Sequence, residues 1–462
     1  MARNPLLASL LLLMLHTSSP FMSPLSARMM WKTGSACRRA MLLLMEPPRR
    51  VQGGGGFPIT PLQDWNEIER RVPLGTCSAG NTEQGTSDWV LLTDKRSTLR
   101  EIFDVELRST LGAVEVEWGV WSLKARPGQD ELRSLACSRA LVRVLVGPCR
   151  DADEICEAVG DSSLCLGDTT SWTMHHERIS DCQHAGAKVR TSEIVCSLAR
   201  KIKGGEALPH SNVHLRFILL ECASGLSLGL GYWSRQDESF LDFRGSKPFT
   251  FNAALEPDVA TAVINVLRSR CRVQAAAGGW GVVNACSGSG TLLFAALKGG
   301  ASWVLGVDKN LRCVEGAIEN LEYFGYQTSL LDQENVEERV RAVKDGGEAF
   351  LIHGDLEGLG EKEAMIGKIL HEKGNTIGIV ADLPFGKNLV THEEALRAIV
   401  RGVRRIAGEQ VVCLISGDDI SALILDNDFD IIEQARSFNG KHYVLYMTFA
   451  LARCGSSVED TS

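Results

Sequence analysis

The sequence predicts an α/β fold: a Rossmann-like sheet of seven strands, mostly parallel and closing on an antiparallel hairpin, preceded by a smaller α+β domain. Three observations carry this prediction. From Val282 onward, short apolar runs alternate with amphipathic helical stretches, the signature of a parallel sheet with crossover helices. The first of those runs enters the small-residue loop Cys286-Ser287-Gly288-Ser289-Gly290-Thr291 and then an apolar helix, an arrangement suited to binding a nucleotide. Near the end, two strand patterns flank Asn439-Gly440, a strong hairpin turn.

The elements follow in chain order. Residues 1–56 read as a targeting peptide and a flexible linker. The apolar run Pro5–Leu15, about eleven residues, is too short to span a bilayer and has the form of a signal h-region, with Leu25-Ser26-Ala27 as its cleavage stretch. The basic, Ser-bearing segment after it holds no acid before Glu46, as in an organelle transit peptide. Together they point to an organelle, a plastid or a mitochondrion. Translation starting near Met45 would leave the protein in the cytoplasm or nucleus instead. Gly53–Gly56 is the linker. No other segment is long and apolar enough to be transmembrane, so no membrane partner is expected.

Residues 57–240 read as a small α+β substrate-recognition domain. Residues 57–110 give little signal. Val114–Leu123 has a strand pattern, Glu131–Val146 an amphipathic one, and residues 151–204 a helix pattern with a basic end. Val213–Glu221 and Leu226–Tyr232 flank Cys222-Ala223-Ser224-Gly225 and predict a β-hairpin. Residues 241–455 form the second domain. Pro257 suits the first turn of a helix that runs to Leu267. Strands follow at Val282, Trp303–Val307, Ala349–His353, Ile377–Ala381, Val411–Ser416, Phe429–Ala435 and Tyr443–Phe449. Between them lie helices at 310–324, with Leu311, Val314, Ile318 and Leu321 as the apolar stripe, at Glu393–Ile406 and from Asp418. The charged stretch Asp332–Gly347 reads as a surface helix.

Four places carry the chemistry. In the loop, Gly288 and Gly290 let the backbone turn tightly and pass close to a ligand. The next strand ends in Asp308, about twenty residues on, where an acid suits the two hydroxyls of a ribose. The third ends near Asp355, placed to accept from an adenine amino group. A dinucleotide fingerprint wants a third glycine where Leu293 stands, and an NTP loop wants a Lys-Ser/Thr ending, so neither fits. The fourth place is Asp382-Leu383-Pro384-Phe385, directly after a buried apolar run. The Asp382 carboxylate and the Leu383 carbonyl can accept both N–H bonds of a planar amine, which aims its lone pair. Pro384 fixes the carbonyl and Phe385 offers a stacking face.

The C-terminal half resembles the THUMP-associated guanine-N2 RNA (tRNA) methyltransferases, class I enzymes that use S-adenosylmethionine. The resemblance covers roughly residues 240–450. It rests on Asn284-Ala285-Cys286-Ser287-Gly288-Ser289-Gly290-Thr291, on Asp382-Leu383-Pro384-Phe385-Gly386-Lys387-Asn388, and on Lys247-Pro248-Phe249 with Ala253-Ala254-Leu255. It implies S-adenosylmethionine as cofactor, held by Asn284, Cys286, Ser287, Gly288, Gly290, Thr291, Asp308 and Asp355. It further implies Asp382, Leu383, Pro384 and Phe385 as the catalytic group, with Lys387, Asn388 and Lys247 at the substrate. The Leu after Asp382 favours RNA guanine over other amines. The implied partners are tRNA or another structured RNA, and a small zinc-binding activator subunit. The resemblance further implies that residues 57–240 are an RNA-recognition domain, a diverged THUMP-like one. The first motif departs from the family at Asn284, where relatives often carry Asp; its amide oxygen would meet the methionine amino group without the charge. Methylation of another amino group (adenine N6 or a protein glutamine) and a non-catalytic RNA-binding subunit are the alternatives.

Composition is compatible with this reading and qualifies it. At 462 residues and 44% apolar content, the chain supports more than one domain with a sizeable core. Its fourteen cysteines show no Cys-x-x-Cys spacing and sit mostly in apolar runs, as reduced core residues do; no metal is expected. The net charge of −8 is unusual for an RNA enzyme. Residues 1–56 hold Arg3, Arg28, Lys32, Arg38, Arg39, Arg49 and Arg50 against Glu46, which leaves the rest more acidic still. Phosphate contacts must therefore come from local groups: Lys188/Arg190, Arg200/Lys201/Lys203, Arg235/Arg244/Lys247 or Arg401/Arg404/Arg405.

Overall fold

Two eight-stranded sheets organise the described residues. The computed structural model describes residues 65–72, 88–94, 96–161, 164–166, 168, 170–179, 194, 197–198, 200–202, 204–207, 213–234, 243, 245–251, 254–271, 280–331, 347–355, 376–383, 392–439 and 443–453. Residues 1–56, expected as a targeting peptide and linker, the charged stretch 332–346, and Pro384 to Asn388 lie outside the described residues.

The first sheet comprises β1 (Trp89–Thr93), β2 (Val114–Glu117), β3 (Val120–Leu123), β4 (Ser138–Cys149), β5 (Ser171–Arg178), β6 (Glu206–Ala207), β7 (Leu215–Cys222) and β8 (Gly225–Ser234), in spatial order β2-β3-β1-β4-β8-β7-β5-β6. Helices α1 (Trp65–Arg71), α2 (Arg100–Leu111), α3 (Gln129–Ser134) and α4 (Ala152–Asp161) accompany it. The expected hairpin at residues 213–232 is there: β7 and β8 pair antiparallel, turning between Cys222 and Gly225.

Three expectations for this half are corrected. Val114–Leu123 is not one strand but the tight hairpin β2-β3, because Gly119 takes a φ of +86° and reverses the chain. Glu131–Val146 is helical only to Ser134. From Ser138 it is the long strand β4, whose Ala140, Leu141 and Val142 are buried between β1 and β8, and that burial overrides a helical spacing. The helix pattern over 151–204 is interrupted: α4 ends at Asp161, Ser171–Arg178 runs as a strand parallel to β7, anchored by the buried Trp172, and helix returns at Ile194, Ser197, Leu198, Arg200 and Lys201.

The second sheet comprises β9 (Trp280–Asn284), β10 (Trp303–Asp308), β11 (Gln327–Leu331), β12 (Glu348–His353), β13 (Thr376–Asp382), β14 (Val411–Ser416), β15 (Phe429–Asn439) and β16 (Tyr443–Ala452). Its order is β11-β12-β10-β9-β13-β14-β16-β15, parallel except for β16 and its hairpin partner β15. This is the expected Rossmann-like sheet of seven strands closing on an antiparallel hairpin, with β11 added at the edge beside β12. Gln327–Leu331 carries only two buried residues, Ser329 and Leu331, too weak a pattern to reveal a strand in the sequence.

Both faces of this sheet are covered. Val282, Val304, Leu351, Val380 and Cys413 pack under α5 (Pro257–Arg270), α6 (Thr291–Lys298) and α7 (Leu311–Tyr323). The alternate residues Val283, Leu305, Phe350, Ile379 and Leu414 pack under α8 (His392–Ala407) and α9 (Ser421–Asp426). Each such large side chain contributes roughly 1.5–3 kcal/mol on burial. Helix α5 starts with Pro257 at its first turn, as expected. Helix α7 keeps three residues of its expected stripe on the core, Val314 and Leu321 buried and Ile318 packed against them, while Leu311 is exposed and Cys313, Ala317 and Asn320 join the buried face.

Helices α2 and α5 join the two halves through a polar seam. Glu106 is fully buried, and its Oε1 accepts from Asn265 Nδ2 (2.6 Å) and from the Ala136 amide (2.8 Å). Arg96 pairs with Asp258 at 2.5 Å, and Ser269 Oγ donates to the Ser109 carbonyl at 2.5 Å. Arg108 and Arg270 converge on Glu433 of β15, and Arg436 clasps Glu101.

Candidate active site

Strands β12, β10, β9 and β13 lie side by side and all end at one edge of the sheet. From β9 the chain builds outward through β10 and β12 on one side and then crosses to β13 on the other, so the end of β9 is the switch point where open α/β sheets bind ligands. Register places Asn284 opposite Gly306 and Val380, and Asp308 opposite His353. Alternation along each strand then puts Asn284, Asp308 and Asp382 on one face.

The loop after β9 is held from three sides. The amide of Ala285 donates to the Val380 carbonyl (2.8 Å), and that of Ser287 to the Val307 carbonyl (2.9 Å). The amide of Gly288 donates to Asp308 Oδ2 at 2.8 Å, while Oδ1 takes the Asn310 amide at 2.8 Å. Asp308 thus braces the loop, and each oxygen keeps a lone pair for a hydroxyl. Gly288 has a φ of +50°, and a Cβ there would meet nothing within 4 Å, so the backbone faces open space. Gly290 has a φ of +84° with Ala317 Cβ at 3.2 Å; it needs to be glycine on both counts before Thr291 starts α6.

Three polar atoms at this edge are buried without a hydrogen-bond partner among the described residues: Asn284 Nδ2, Ser287 Oγ and Asp382 Oδ1. Asn284 is held by its own loop. Its Oδ1 accepts from the Cys286 amide at 3.3 Å, which leaves the NH2, a donor, unsatisfied. Burial pushes the Asp382 carboxyl up to about 7, where it exchanges a proton near neutrality. Burial also pushes the Cys286 thiol far up, and the neighbouring Asp308, Asp382 and Asp355 carboxylates add to that. Cys286 is therefore no thiolate nucleophile, and its electrostatic neighbours show how closely these acids surround the loop.

No family model matches this chain, and no curated protein is significantly similar to it. Among solved structures, the chain is similar to TrmN from Thermus thermophilus, at 15% identity over 79% of this chain and 99% of that one, with a TM-score of 0.43. It is similar to the putative methyltransferase SMU.472, complexed with SAH, at 12% identity over 80% and 99% of the two chains, with a TM-score of 0.39. A putative RNA methyltransferase from Pyrococcus horikoshii matches 46% of this chain and 96% of its own, at 15% identity and a TM-score of 0.32. The fold assignment rests on the strand order and register above.

Of the sequence-assigned residues, Asn284, Cys286, Ser287, Gly288, Gly290, Thr291, Asp308, Asp355 and Asp382 come together at this edge. Leu383 is buried, and its amide donates to the Ile415 carbonyl at 2.9 Å, which anchors the chain directly after Asp382. Pro384, Phe385, Lys387 and Asn388 lie outside the described residues. Lys247 is buried behind the loop, its Nζ donating to Ser289 Oγ at 3.2 Å. The sequence reading missed Asn320, fully buried on α7 and bonded to the loop at Ser289. Its signal was an Asn on the buried face of an amphipathic helix, where a polar side chain has to find partners.

Among the described residues, no cluster of His, Cys, Asp or Glu could hold a metal ion. No helix among them is long and apolar enough to cross a membrane. The edge therefore offers a donor (Asn284 Nδ2), a hydroxyl (Ser287 Oγ), open glycine backbone and one near-neutral carboxyl. It can bind a polar ligand over the loop and orient or deprotonate an N–H or O–H group beside it.

Proposed function

We propose that this protein is an S-adenosylmethionine-dependent RNA methyltransferase acting on N2 of a guanosine in tRNA. The observation that carries the reading is Asp382. Its carboxyl ends β13 on the same face as Asn284, beside the loop after β9, with an unpartnered buried oxygen. The orphaned Asn284 NH2 and Ser287 hydroxyl, and the open backbone at Gly288, fit the amino-acid end of an S-adenosyl ligand. Asp308 and Asp355 fit its ribose and adenine. The Leu at 383 and the resemblance described above favour RNA guanine as the acceptor. On this reading residues 57–240 recognise RNA, and residues 1–56 direct the protein to an organelle.

S-adenosylmethionine supplies, when bound, a methyl group activated on a sulfonium. The chain's own work is positioning, which is worth up to roughly 7–11 kcal/mol. Asp382 accepts one amino N–H bond and the Leu383 carbonyl the other, so the nitrogen lone pair turns toward the loop. The N–H proton displaced on methylation passes to Asp382, whose near-neutral carboxyl suits it as a proton acceptor. The paired backbone at Leu383 keeps both acceptors in place.

The test is nucleoside mass spectrometry of bulk tRNA incubated with the full chain and labelled S-adenosylmethionine. N2-methylguanosine is the expected product. N6-methyladenosine would replace the substrate assignment, and no RNA product beside methylated protein glutamine would replace the RNA reading.

A further inference from the structure

Asn320 uses its whole amide on two separate segments. Its Oδ1 accepts from the Phe249 amide at 2.9 Å, and its Nδ2 donates to the Phe249 carbonyl at 3.0 Å and to the Ser289 carbonyl at 2.9 Å. One segment is the strap Lys247-Pro248-Phe249, and the other is the Ser287–Gly290 turn. A second tie joins the same two segments, from Lys247 Nζ to Ser289 Oγ at 3.2 Å. The strap itself is pinned. Gly316, one helical turn before Asn320, lets the Phe249 ring pack directly on α7, for a Cβ there would sit 2.1 Å from the ring. Lys247 Nζ lies 5.0 Å from the centroid of the Phe243 ring, which stacks on Phe294 of α6 at 4.2 Å.

A turn with glycine at two of its four positions is soft, and its backbone shape needs an outside restraint. The front of the turn faces open space at Gly288, so beyond the bonds of Ser287 to Val307 and of Gly288 to Asp308 the restraint comes from behind. We infer that Asn320 is a positioning residue: by tying the Lys247–Phe249 strap to the back of the Ser287–Gly290 turn, it presets that turn for its ligand. The ligand's identity, an S-adenosyl compound, rests on the functional reading above; the brace does not.

Two variants of the full chain separate these. Asn320→Ala removes the amide, and Gly316→Ala wedges Phe249 off the helix while leaving the amide in place. Each is measured by calorimetric binding of S-adenosylhomocysteine, by hydrogen exchange of the 285–290 amides, and by thermal unfolding. Losing the buried bonds is expected to raise the Kd about tenfold or more and to speed exchange at Gly288 and Gly290, with cooperative unfolding retained. Asn320→Asp, which keeps the acceptor but loses both donors, should match Asn320→Ala. Unchanged affinity and exchange in both alanine variants would overturn the inference. If the wild type binds no S-adenosylhomocysteine, the functional reading fails, and the exchange rates alone decide the brace. If Asn320→Ala does not fold, Lys247→Met replaces it; unchanged exchange of the turn in that variant overturns the inference.

Discussion

Asp382 stands one pleat beyond Val380, the residue paired with Asn284, so the two polar side chains end adjacent parallel strands on the same face. One carries a buried acceptor and the other a buried donor, and neither atom has a partner among the described residues. Leaving two such atoms unsatisfied costs about 1–3 kcal/mol each, which a bound ligand would recover.

Asp382→Ala should therefore abolish methyl transfer, with kcat falling about a thousandfold, while the Kd for S-adenosylhomocysteine stays within a few-fold. Asp382→Asn should match it. Steady-state kinetics with a separate binding titration checks this; equal loss of both quantities would remove Asp382 from its catalytic role.

The raised Asp382 carboxyl predicts the pH behaviour. Activity should climb about tenfold per pH unit below pH 7 and level off above it, because the amine needs the ionised acceptor. Stability should move the other way. Below about pH 4 the folded and unfolded chains both hold this proton, and above about 7 neither does; between them the folded chain binds more, so stability falls as pH rises. Asp382→Asn should then stabilise the protein at pH 8 by on the order of 1–3 kcal/mol and leave it unchanged at pH 4. Denaturant melts at the two pH values measure the difference.

Asp308→Ala removes the acceptor of the Gly288 and Asn310 amides. The Kd for S-adenosylhomocysteine should rise by roughly tenfold or more, with a smaller loss of kcat at saturation. An unchanged Kd would refute the role of Asp308 at the ligand.

Gly290→Ala meets a left-handed backbone and Ala317 at 3.2 Å. It should cost about 1–3 kcal/mol in folding stability and weaken the ligand in step, since the start of α6 has to shift. A melt and a binding titration on the same sample check both.

Glu106→Ala leaves Asn265 Nδ2 and the Ala136 amide without this acceptor in a buried seam. A loss of about 3 kcal/mol is expected, with the halves unfolding in separate transitions. A single undiminished transition would show that the seam is not what couples the two sheets.

The chemistry was legible in the sequence because it sits where local rules are strict. Gly288 and Gly290 mark a backbone that other residues cannot follow, Asp308 and Asp382 end apolar runs that can only be buried strands, and Pro257 opens a helix. Parallel strands with both faces covered read as near-continuous apolar runs, so β9, β10, β12, β13 and β14 stood out. The edge strand β11 and the strands β4 and β5 did not, since their pairing is decided by partners distant in the chain.

By itself the sequence determined the order of the motifs, the acid at 382 and the glycine turn, because each depends on residue type and spacing along a few residues. The closed fold was needed to show that Asn284 Oδ1 takes the Cys286 amide, that Asp308 holds the Gly288 amide, that Asp382 is buried enough to titrate near 7, and that Asn320 ties Phe249 to Ser289. Those are matters of hydrogen-bond partners and desolvation, and both arise only when distant strands and helices close around the same few atoms.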